Sequence, residues 1–189
     1  MESLYDPWCN VKTRNGFAAD EVVSTLQKSI RRADLDTAVR FAYEMYLTSR
    51  EMEDMLWTRL CVISVEDVGG GAWEAPVLVD TLNRMRSSLP LGHTDRPLFF
   101  IHAIRYLCSR EKSRASDLLK NIVEEEFRQG ILPELPDVAF DMHTARGRSM
   151  GRGLAHFYRE ASVVTPEAED EAAAYREHLL RLLQESGRL

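Results

Sequence analysis

Three amphipathic helical stripes crowd into residues 24–71, and three consecutive glycines close the run. Val23, Leu26 and Ile30 make the first stripe, and Ala38, Phe41, Ala42 and Met45 the second; Leu56, Leu60 and Ile63 make the third. Apolar residues at this spacing line one face of a helix, and a face that wide needs a partner. The polar breaks between the stripes are short, so neighbouring helices are expected to pack antiparallel. No strand-like alternation persists and no internal repeat is present. The expected fold is all-α, a compact multi-helix orthogonal bundle of about seven to nine helices.

The helix ends follow from local chemistry. Asp20 is the expected N-cap of a first helix reaching Arg32, Asp34 or Asp36 caps the second, and Thr48 or Ser49 the third. Glu66 and Asp67 close that third helix against the dipole preference. An ion pair with Arg31 or Arg32 is the expected reason, with a bound cation or support of the Gly69-Gly70-Gly71 turn as alternatives. A fourth helix is expected over 74–87. A fifth, over 98–110, has His102 inside it as an expected hydrogen-bonded core residue, and His93 in the preceding loop. A sixth starts at Ser113 and stops at Gly130, with Leu118, Leu119, Ile122, Val123 and Phe127 on one face. Pro133 and Pro136 then break the chain. Thr165-Pro166-Glu167 reads as a helix start, opening a last helix that runs to about Gln184. Tyr5 and Trp8 are expected to pin an irregular arm, residues 1–18, to a groove on the bundle. Residues 19–189 are expected to form one helical domain, with a weak boundary near 133–136.

The stretch 27–32 (Gln27, Lys28, Ser29, Ile30, Arg31, Arg32), then Asp34, Asp36 and Ala38, then 63–69 (Ile63, Ser64, Val65, Glu66, Asp67, Val68, Gly69) carries a family resemblance. It resembles the helical region that follows the motor in the replication-associated recombination AAA+ ATPase family (RarA/MgsA and the Werner-helicase-interacting protein). The likeness covers the first third of the chain and fades beyond it. It implies a C-terminal oligomerisation region, tetrameric assembly, and work in DNA replication and repair. The motor itself is missing from this sequence. No GxxxxGK[ST] occurs, and the three glycines have neither a preceding strand nor a following Lys-Ser or Lys-Thr. No cofactor is implied.

Composition narrows the partners. Thirty acids against 24 bases give the 189-residue chain a net charge of -6. Bulk electrostatics therefore does not favour nucleic acid, and a DNA contact needs a local basic patch. Cys9, Cys61 and Cys108 are scattered and odd in number, with no zinc spacing, which points to a reduced, cytoplasmic setting. No leader pattern and no bilayer-length apolar run is present.

The one basic locus is 138–158, VAFDMHTARGRSMGRGLAHFY. Glycines let backbone amides approach an anion, and arginines offer paired donors to phosphate. Arg146, Arg148 and Arg152, with His143 and His156, are the candidate anion or nucleic-acid ligands. In a second reading the arginines are structural, paired with Asp141, Glu160 and acids of the last helix. In a third, Asp141, His143 and His156 form the metal or acid–base site of a metal-dependent hydrolase. Asp-x-His is a short pattern, and neither a fourth ligand nor a nucleophile accompanies it, so no catalytic set is complete. The pattern HTxxGxxxGRGxxHF is similar to one in some AAA-associated helical proteins and brings no role with it.

The leading expectation is a non-enzymatic oligomerisation or interaction module. Its expected partners are further copies of itself or a separate AAA+ ATPase subunit. DNA is a further candidate partner, and no membrane is implied.

Overall fold

The computed structural model describes residues 7–189; expectations placed on Tyr5 and on the Cys9 side chain fall outside it. Among the described residues the chain is all-helical, apart from one isolated antiparallel bridge between Lys12 and Ala18. The chain divides into two compact units, Met1–Gln129 and Gly130–Leu189.

The first unit holds α1 (Ala19–Arg31), α2 (Leu35–Thr48), α3 (Arg50–Ile63), α4 (Ala75–Ser87), α5 (Arg96–Ser109) and α6 (Ala115–Arg128). Its core is the meeting of the stripes read from the sequence. Leu26 and Ile30 of α1, Met45 of α2, and Leu56, Leu60 and Ile63 of α3 are buried together, with Phe100 and Ile104 of α5. Trp8 packs against this cluster from the arm. Asp34 accepts from the Thr37 amide at 3.1 Å and Ser49 from the Met52 amide at 3.2 Å, so α2 and α3 begin where side-chain caps place them.

Two of this unit's helix starts differ from expectation. α1 begins one residue before Asp20. The Ala19 N–H donates to the Val11 carbonyl at 3.0 Å, so the arm's backbone sets the start and Asp20 sits in the first turn. Ser113 does not cap α6; its N–H donates to the carbonyls of Asp67 and Val68 at 3.0 and 3.1 Å. His102 is also not in the core but on the exposed side of α5.

The end of α3 explains the glycines. A π turn, Ser64–Val68, runs into a 3-10 turn, Gly69–Gly71. A Cβ at Gly69, whose φ is +47°, would lie 2.5 Å from the Ser113 carbonyl oxygen, and one at Gly71 2.3 Å from that of Glu111. The glycines are there to let the 111–113 backbone lie against them.

The second unit holds α7 (Ala145–Ser149), α8 (Leu154–His156) and α9 (Ala172–Glu185). α9 starts seven residues after Thr165. The Ala172 amide takes Asp170 Oδ1 at 2.8 Å, and Glu167 instead pairs with Arg176 at 2.6 Å.

Candidate functional site

Residues 137–158 form a tied loop, built from its own polar atoms. Asp141 starts it. Its Oδ1 accepts the His143 backbone N–H and its Oδ2 contacts His143 Nδ1, both at 2.9 Å. The hydrogen bonds from His143 hold the Asp141 carboxyl below its ordinary range. Thr144 then caps α7 by accepting the Gly147 amide at 3.0 Å. α7 folds back so closely that a Cβ at Gly147 would lie 1.9 Å from the Asp141 carbonyl oxygen.

The three arginines part company. Arg152 is absorbed by the loop: Nη2 pairs with Asp137 Oδ2 at 2.6 Å, and Nη1 donates to the Asp137 and Phe140 carbonyls at 2.8 and 2.9 Å. The acid it meets is Asp137, one residue before the stretch singled out in the sequence, while Asp141 is taken by His143. The Arg146 guanidinium lies over the Phe140 ring, 4.0 Å from its centroid. Arg148 donates to the Met142 carbonyl at 3.1 Å. Arg146 and Arg148 are exposed; Arg152 is not. His143 meets the Phe157 ring edge-on at 5.0 Å, and His156 Nδ1 is shielded with no hydrogen-bond partner among the described residues.

Among the described residues no three His, Cys, Asp or Glu side chains come together as a metal site, so Asp141, His143 and His156 do not converge as the hydrolase reading requires. Burial pushes the Cys108 thiol up to about 11 and the Cys61 thiol in the same direction, away from nucleophilic character.

The first unit carries two charged nodes. At the α3 end, Asp67 is fully buried and pairs with Arg31 Nε; Glu66 takes Arg31 Nη2 at 3.2 Å and Arg114 Nη2 at 3.3 Å. Gln27 donates to Asp67 Oδ2 at 3.1 Å. This is the expected ion pair, widened by Arg114 into a tie between α1, the π turn and the residue that precedes α6. The second node was not legible in the sequence. Glu53, 2% exposed, is gripped by two arginines: Arg96 Nη2 donates to its two oxygens at 2.9 and 2.8 Å and Arg96 Nε to Oε1 at 3.2 Å, and Arg86 Nη1 stands 3.5 Å from Oε1. Arg96 also donates to the Arg86 and Leu89 carbonyls at 3.0 and 2.6 Å. Glu53 reads in the sequence as one more acid in the first turn of α3; its partners lie on α4 and α5, beyond the reach of local pattern.

α6 carries an open apolar face. It buries none of its residues. Leu118, Leu119, Ile122, Val123 and Phe127 are between 41% and 62% exposed, and every residue from 118 to 139 is exposed. α6 is attached through the residues just before it, by Arg114 to Glu66 and by Ser113 to the π turn.

No family model matches the chain. Over 145 residues, 77% of its length, it is 27% identical to the Replication-associated recombination protein A of Bacillus subtilis (strain 168); the match spans 34% of that protein. The chain thus corresponds to about a third of the length of this relative. No helix among the described residues is long and apolar enough to cross a membrane.

Proposed function

We propose that this chain is a non-enzymatic helical assembly module of the cytoplasm. In this reading it is a counterpart of the C-terminal oligomerisation region of replication-associated recombination AAA+ ATPases, and it serves DNA replication or repair. The observation that carries the reading is the bare face of α6. Five large apolar side chains on one helix, none buried in its own unit, cost hydrophobic free energy in water, and such patches mark places where proteins meet. The partial similarity to the Bacillus subtilis recombination protein supplies the cellular setting.

The partner is a further copy of this chain, with four copies implied by the family resemblance; a separate AAA+ ATPase subunit is the alternative occupant. Light scattering on the purified chain tests this. The expected mass is at least twice that of the 21.6 kDa chain, and four times it for a tetramer. A single-chain mass at every concentration up to the solubility limit would exclude self-assembly.

A further inference from the structure

We propose that the cavity where α3 begins, α4 ends and α5 begins binds a phosphate group, with Arg50 and Arg86 as its ligands. The cavity measures about 200 Å³ and has Arg50, Asp54, Arg86 and Arg96 in its wall. That is below the roughly 300 Å³ at which pockets for drug-sized molecules begin, so it takes a small group and not a whole nucleotide.

Charge supplies the class of ligand. Three guanidiniums, those of Arg50, Arg86 and Arg96, meet two carboxylates, those of Glu53 and Asp54, which leaves one positive charge over. Arg86 and Arg96 are more than nine-tenths buried, where surplus charge is costly and an anion offsets it. Arg96 is spent on Glu53 and on two backbone carbonyls. Arg86 is not. Its Nη2 donates to Asp54 Oδ1 and its Nε to Asn83 Oδ1, both at 2.9 Å, but Nη1 makes no hydrogen bond among the described residues. Arg50 reaches the other Asp54 oxygen only at 3.9 Å. Asp54 therefore stands between arginines of two different helices and holds the place that an anion would take. Its side chain is 54% exposed, so it can turn out to water and give way. The tetrahedral oxygens of a phosphate can be shared between guanidiniums that arrive from two sides, whereas a planar carboxylate is matched by one.

The test follows the thermal unfolding midpoint of the full chain as inorganic phosphate is titrated at constant ionic strength, with chloride as the reference anion. A ligand of the folded state raises the midpoint as its concentration passes the dissociation constant. Wild type is expected to be stabilised by phosphate beyond chloride; no difference between the two anions overturns the site. Arg50 is largely exposed, so Arg50→Gln is expected to fold and to raise the phosphate dissociation constant about tenfold, the loss of one charge-assisted contact. Affinity unchanged in that variant overturns the site. Asp54→Asn removes the competing carboxylate and is expected to lower the dissociation constant about threefold, the scale of an exposed ion pair. Weaker or unchanged binding in Asp54→Asn overturns the arrangement, because a merely structural Asp54 would not oppose phosphate. Arg105→Gln removes an exposed arginine elsewhere on α5 and is expected to bind as wild type does. A loss there equal to that of Arg50→Gln would mean bulk charge and no site. A nucleoside monophosphate titrated in parallel separates the sources. Binding no tighter than phosphate assigns the cavity to the free anion, and tighter binding assigns it to a phosphate ester whose remainder lies outside; each supports the site.

Discussion

Gly147 shows how much of the basic loop is decided by a single missing methyl. Its backbone lies against Asp141 so closely that an added Cβ would sit 1.9 Å from a carbonyl oxygen, and a carbonyl cannot swing aside as a flexible side chain can. Gly147→Ala is therefore expected to destabilise the second unit by about 1–3 kcal/mol, the usual cost of overpacking. Gly153 has nothing within 4 Å of the equivalent position, so Gly153→Ala serves as the near-neutral control. Urea denaturation of both variants, followed alongside amide exchange over 137–152, checks the contrast. Glycine spacing in the sequence suggested backbone room for an anion. At position 147 the room is used by the chain itself. Arg152 is a parallel case: its type and place were visible in advance, but its partner Asp137, fifteen residues upstream, was not, because only the folded loop brings the two together.

At the scale of elements, the joint between α3, α4 and α5 is where charge sits deepest. Glu53 and Arg96 are 2% and 3% exposed and bonded through both carboxylate oxygens. Removing either partner strands the other charge out of water, and Glu53→Ala or Arg96→Ala is expected to cost about 3–5 kcal/mol. Replacing both, as in Glu53→Leu with Arg96→Met, is expected to cost clearly less than the two singles added together, since no buried charge is left over. A double-mutant cycle by urea denaturation measures this. The periodic stripes foretold α1 to α5 well, because helices whose faces are buried must carry the pattern in their own residues. Starts were harder. Thr165-Pro166-Glu167 has the local chemistry of a helix start, yet Glu167 is drawn to Arg176 and α9 opens beside Asp170. The face of α6 was legible as a stripe, but periodicity says only that a helix wants a partner, not whether its own unit supplies one.

For the whole molecule, a net charge of -6 opposes approach to a polyanion. Contact with nucleic acid must then pass through a local exception, and Arg146 and Arg148 are the exposed arginines of the candidate loop. That contact predicts binding to a single-stranded oligonucleotide that weakens steeply with salt and is lost in Arg146→Ala/Arg148→Ala. Binding indifferent to the double variant would remove the loop from consideration.

The glycine turn after α3 acts on something far larger than itself. It seats the 111–113 segment, and that segment aims a helix about 21 Å long at 1.5 Å per residue. α6 is thus a lever arm with its fulcrum at Gly69 and Gly71. A small displacement at the fulcrum swings the distant tip widely, so a bulkier residue there would leave a bundle that still folds but points its handhold the wrong way.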